Sequence, residues 1–188
     1  MNRSSKHLVI EPRRSQWFHP HPNRMTLGNY VNNNIYRGVV TGFNDAFIVD
    51  AQTKNTLIQQ HHTSAEIIKP MVRGQDLRPW YQIDGDQYLI FTRRGIVIDD
   101  YPAIKTYLEK FRSQLEPRPD NWKGTWAGRK AGSYQWYEIQ DQIAYFEEFE
   151  KPKIFAPDIG KLPRYSWDTS LTYCNDKGTI IVANLTTL

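Results

Sequence analysis

The sequence predicts a mixed α/β domain, α+β in arrangement, with short twisted strands, one main amphipathic helix and long loops. Three observations carry that expectation. Short β-branched or aromatic runs recur between turn residues. One stretch carries apolar residues at helical spacing. No regular alternation of strand and helix runs along the chain, which argues against a βαβ repeat. The 188 residues fit one domain, or one domain plus a tail. Hydrophobic residues at 39%, with aromatics at 13%, supply a core and exclude a disordered chain.

Residues 1–25 hold five of the 24 basic side chains and the string Trp17-Phe18-His19-Pro20-His21-Pro22. No period survives there, so this segment reads as an arm or linker, with the domain proper over 26–188. Ile35 to Val40 and Ala46 to Val49 are two strand-like runs. Gly42-Phe43-Asn44-Asp45 between them is turn chemistry, which predicts a hairpin. Thr56 to Gln59 reads as a third short strand. Thr63-Ser64-Ala65-Glu66 offers a capping box for a short helix that Pro70 keeps from extending. Tyr88 to Phe91 and Ile96 to Ile98 are further strand candidates.

Asp99-Asp100-Tyr101-Pro102 opens the clearest helix, because carboxylates and a first-turn proline both suit its positive end. Ile104, Leu108, Phe111 and Leu115 then share one face until Pro117 and Pro119 stop it. Residues 118–135, basic and rich in Gly and Trp, have no period and form a long loop. Trp136 to Phe149 is expected to be partly helical. Lys153 to Ala156 and Thr179 to Val182 are expected strands.

The chain shows no Gly-x-Gly-x-x-Gly, no Walker loop and no Gly-x-Ser-x-Gly elbow. Cys174, the lone cysteine, cannot form an internal disulfide and reads as a small core thiol, which fits a reducing cytoplasm. Adjacent His61 and His62 point apart on a strand, so no metal site is expected. Pro157-Asp158 and Glu150-Lys151-Pro152-Lys153 stand in the wrong order for a metal-dependent nuclease, which stays a distant alternative. No apolar run is long enough to span a bilayer.

The net charge of +4 is mild, and the distribution of charge says more than the total. Arg118, Lys123, Arg129 and Lys130 share the long loop with Trp122 and Trp126, and Tyr134, Trp136 and Tyr137 follow. Cations neutralise phosphates and aromatic faces stack on bases or sugars, though the same tryptophans could simply anchor the loop to the core. Lys69, Arg73 and Arg78 form a second basic group, in which Arg73 either reads a guanine or pairs with Asp76. Arg93-Arg94-Gly95 is a third.

Several strings resemble the TaqI-like C-terminal specificity domain of type IIG restriction enzymes and related adenine-N6 methyltransferases. They are Ile35 to Asp50 (IYRGVVTGFNDAFIVD), Ser64 to Pro70 with Arg73-Gly74-Gln75-Asp76-Leu77, Tyr101-Pro102-Ala103-Ile104, and Trp136-Tyr137-Glu138-Ile139 leading to Phe149–Ile154. The resemblance runs from about Leu27 to about Ile180. It implies a domain that grips duplex DNA and sets which bases fit, while a methyltransferase domain in the same or a neighbouring chain carries S-adenosylmethionine and flips the adenine. No cofactor is expected in this chain, whose sequence lacks that domain's Asn-Pro-Pro-Tyr-like motif, and no membrane is expected as a partner. Thr41, Gly42 and Asn44 would form a DNA-facing hairpin tip, where Asn44 either pairs with adenine or closes the turn. Lys69, Arg73 and Arg78 would line a groove beside it, with Lys153 facing the same cleft. Arg93, Arg94, Lys123, Trp126, Arg129 and Lys130 complete the expected contact set, and loop 118–135 carries specificity. A stand-alone or degenerate DNA-binding module is the alternative reading.

Overall fold

A computed structural model describes residues 25–160, 162 and 164–183. The expected arm falls almost wholly outside them. Two four-stranded sheets and a set of short helices form an α+β architecture. In the first sheet β1 (Ile35–Arg37), β8 (Gly178–Ile181), β5 (Lys153–Pro157) and β6 (Ser166–Asp168) lie in that order, all antiparallel. Tyr36 and Phe155 both oppose Ile180 across its two edges. In the second, β2 (Ile48–Asp50), β4 (Gln87–Ile90) and β3 (Ile68–Val72) are antiparallel, and β7 (Tyr173–Cys174) adds to β3 in parallel.

Residues 175–177 carry the chain from β7 in one sheet to β8 in the other. Two glycines clamp this crossing. A Cβ on Gly38 would stand 2.0 Å from the Asn175 carbonyl oxygen, and one on Gly74 would stand 2.3 Å from that of Lys177. The Arg37-Gly38 and Arg73-Gly74 strings therefore have a packing cause: backbone meets backbone at both places. Asn175 reinforces the joint, its side-chain oxygen accepting from the Gly74 and Lys177 amides at 3.4 Å.

The core between the sheets and helices holds Phe47, Leu89, Ile104, Phe149, Phe155 and Tyr173, all fully buried. Each such side chain contributes about 1.5–3 kcal/mol through burial. Helix α5 (Pro102–Glu109) starts with proline in its first turn, as expected, and α6 (Arg112–Leu115) follows a break. Ile104, Leu108 and Leu115 are buried on one face, with Phe111 half-buried against Phe43 and Tyr107.

Several expectations fail for identifiable reasons. The hairpin over residues 35–49 does not form, because its two strands belong to different sheets and α2 (Asn44–Phe47) stands between them. Thr56 to Gln59 lies inside α3 (Ala51–Gln60). The carboxylate of Asp50 accepts the Thr53 amide at 2.7 Å and starts a helix there. The Thr63 hydroxyl makes no cap for α4 (Ser64–Ile67), since it donates to the Asp100 carbonyl instead. Ile98–Asp100 is a 3-10 turn, not the strand expected nearby, while Phe146–Glu150 is a 3-10 helix and gives the stretch from Trp136 to Phe149 its helical part. Tyr88–Phe91, Lys153–Ala156 and Thr179–Val182 match β4, β5 and β8 within a residue or so. The remaining short helix, α1, spans Leu27–Tyr30. No helix among the described residues is long and apolar enough to cross a membrane.

Candidate nucleic-acid interface

Arg129 is the hub of the basic loop and is 4% exposed. Its guanidinium donates five hydrogen bonds to backbone carbonyls, those of Leu115, Thr41, Glu138, Gln135 and Trp136, at 2.7–3.2 Å. Its face lies 4.4 Å from the centre of the Tyr134 ring. Burial pushes this guanidinium down to about 10, so it stays charged at neutral pH. The planar five-donor fork matches carbonyls arriving from three chain segments, which a lysine could not do.

That hub builds a projecting lobe. The Arg118 amide donates to the Arg129 carbonyl and the Arg129 amide to that of Glu116, both at 3.0 Å, closing the neck around residues 118–128. Such a compact loop with adjoining ends is held by its own side chains. Trp122 and Trp126 meet edge to face at 5.0 Å. Trp122 Nε1 donates to the Thr125 carbonyl and Trp126 Nε1 to that of Glu116. Arg118 and Lys123 on the lobe, and Lys130 just past its neck, are exposed and have no ion-pair partner among the described residues.

The first motif is tied to the same hub. Thr41 is buried, its carbonyl bonded by Arg129. Gly42 holds φ +84 with Arg129 and the Gln140 side chain where a Cβ would go. Asn44 is exposed and opens α2, and its side-chain oxygen accepts the Thr41 hydroxyl at 2.7 Å. Arg94 packs on the far side of the hub, donating to the Ile139 and Gln140 carbonyls at 2.7 Å and lying 3.5 Å from Glu138. Hydrogen bonds, close packing and chain adjacency thus link Thr41, Gly42, Asn44, Arg94, Trp126, Arg129 and Lys130 to one hub, and Lys123 stands on the lobe that this hub carries.

The other expected residues have partners outside that hub. Arg73 is held by Asp76 at 2.8 Å and 3.3 Å, the turn-holding alternative, and Arg78 donates to the Gln75 and Leu77 carbonyls. Lys69 lies 3.6 Å from Glu150. Arg93 is exposed, its guanidinium 4.8 Å from the centre of the Phe146 ring. Lys153 does begin a strand, but it faces no cleft. It is fully buried, bonded to Asp168 at 2.6 Å and to the Ser170 carbonyl at 2.8 Å. Burial lowers this ammonium's pKa while Asp168 opposes the shift. Arg129 and Lys153 therefore correct the expectation of surface contact: internal acceptors claim the donors of both.

Sequence reasoning missed an exposed aromatic face. Trp80 is 86% exposed at φ +78, its amide donating to Tyr165, with Tyr81 and Trp167 nearby in the same strand arrangement. Pro79-Trp80 was the available signal, since proline favours the position before a left-handed turn residue. Among the described residues no cluster of three or more His, Cys, Asp or Glu side chains could hold a metal.

No protein-family profile matches the chain. Over 126 residues, 65% of this chain and 20% of the relative, it is 29% identical to the type II methyltransferase M.BstVI of Geobacillus stearothermophilus. The solved structure of the type IIL restriction–modification enzyme MmeI in complex with DNA matches with a TM-score of 0.51 at 10% identity. That match covers 79% of this chain and 19% of the enzyme, and is a likeness of fold. The chain spans about a fifth of either protein's length. Weak homology and fold similarity both lead to restriction–modification proteins, in which this architecture is one part of a longer chain.

Proposed function

We propose that this chain is the DNA-reading part of a restriction–modification enzyme, of the TaqI-like specificity type, acting beside an adenine-N6 methyltransferase domain. The observation that carries the reading is the lobe at 118–128. Unpaired cations and indole rings project from a neck that a buried arginine fixes to the core. A rigid platform lowers the entropy lost when a loop engages a phosphate backbone. Lys123 and Lys130, with Arg118, supply the sequence-independent grip. The Asn44 side chain, which keeps its amide nitrogen free of partners among the described residues, supplies a donor beside them. Trp122 and Trp126 supply apolar faces for sugars or bases.

The methyl transfer belongs to the partner domain, which would bind S-adenosylmethionine and take the extrahelical adenine. This chain would hold the duplex while that base leaves the stack. The similarity to M.BstVI and to the fold of the MmeI–DNA complex supports the assignment. The test is a binding titration of this chain against a random duplex library, with and without a methyltransferase domain. Enrichment of a defined sequence is expected, and retention of all duplexes equally would refute sequence reading.

A further inference from the structure

A recess lies beside Arg93, one residue before the Arg94 of the hub. It has a volume of about 280 Å³ and opens between β3, β4 and the Phe146–Glu150 turn. That is just below the about 300–1,000 Å³ typical of ligand clefts, room for one ring system. Phe91, Phe146 and Tyr101 give it flat walls. Tyr173 closes its floor, stacked on Phe149 at 4.6 Å and fully buried. The Tyr173 hydroxyl makes no well-formed hydrogen bond among the described residues, and the Glu150 carboxylate is its charged neighbour. A buried phenol left unpaired costs about 1–3 kcal/mol, so a fold keeps one for a reason.

The rim carries both signs. Arg93 lies 4.8 Å over the Phe146 ring and makes no ion pair among the described residues, leaving its guanidinium edge free. Lys69 lies 3.6 Å from Glu150, and Glu66 accepts from the Tyr101 hydroxyl at 3.1 Å. A bare anion would meet two carboxylates there, and a bare cation would meet Arg93 and Lys69. The occupant therefore has acceptors and donors on one flat frame.

We infer that this recess takes a guanine ring: Arg93 donates to its O6 and N7, and Glu150, whose carboxylate adjoins the enclosed Tyr173 phenol, accepts from its N1 and N2 hydrogens. An arginine edge suits guanine better than adenine, which calls for an amide. The N1 edge is free only when the base is unpaired, so the source is either an extrahelical base or a free nucleotide. The extrahelical case rests on the DNA-reading function proposed above.

The full chain is titrated by calorimetry with guanosine and adenosine monophosphates. It is also titrated with duplexes carrying one bulged guanine or one bulged adenine. At least tenfold preference for guanine is expected, reduced at least tenfold by Arg93→Ala and by Glu150→Gln. Glu150→Gln should leave the thermal midpoint nearly unchanged, since its pair with Lys69 is partly exposed. Preference in the duplexes identifies DNA as the source, whereas preference only in the mononucleotides identifies a free nucleotide. Duplex binding with no guanine preference in either arm overturns the recess while leaving DNA reading intact. Guanine binding without any duplex binding keeps the recess and removes DNA reading. A lowered midpoint for Glu150→Gln with unchanged affinity shows a structural carboxylate and overturns the inference.

Discussion

A buried arginine serving five carbonyls and a buried lysine serving a carboxylate look alike in a string of letters. Both present a cation among aromatic neighbours, and both were expected at a DNA surface. What separates them from Lys123 and Lys130 is enclosure, which no local pattern encodes. Removing one member of a buried ion pair leaves an uncompensated charge, so Lys153→Met should cost about 3–5 kcal/mol of stability. Arg129→Ala leaves buried carbonyls unpaired and should cost at least about 3 kcal/mol, with Arg129→Lys failing to restore it. Urea denaturation midpoints read both losses. Arg73→Ala, by contrast, loosens a turn that Asp76 holds. It should leave the salt dependence of DNA binding unaltered, and a reduced slope would return Arg73 to the interface.

At the scale of elements, the regular pieces were legible where side-chain period and burial agree. The apolar spacing through Ile104, Leu108 and Leu115 marked α5 and its continuation, and β4, β5 and β8 were visible as short apolar runs. Polar α3 was not, because only Leu57 is buried on it and its start depends on one carboxylate. The Thr53 amide and hydroxyl hold the Asp50 carboxyl below its usual 3.8. A depressed carboxylate contributes stability that is present above the unfolded value and lost as pH falls through the folded one. Helix α3 should therefore fray first on acidification below about pH 4, as read by amide exchange. Asp50→Asn keeps a cap and should abolish that pH dependence. The pairing of strands into two sheets was hidden for a different reason. The joint depends on Gly38 and Gly74 meeting residues 175–177 more than a hundred positions later. Gly38→Ala drives a methyl into the Asn175 carbonyl and should unfold the joint, with a loss of several kcal/mol at the midpoint, roughly as for severe overpacking.

The whole molecule places its unpaired cations unevenly. Most basic groups of the second and third sequence clusters are tied to acids, carbonyls or rings, while the lobe's are not. Sequence pattern identified that loop as a candidate surface but could not show that its neck is fixed to the core, since the Arg129 bonds that fix it reach residues 41, 115 and 138. In the proposed function this lobe meets the phosphate backbone. Its most direct test compares the affinity of the chain for duplex DNA across salt concentrations with that of the Lys123→Ala/Lys130→Ala variant. Each lost phosphate contact removes about 0.9 from the slope of log affinity against log salt. A slope shallower by about 1.8 with an unchanged thermal midpoint is expected, and an unaltered slope would mean that the lobe does not touch the phosphates.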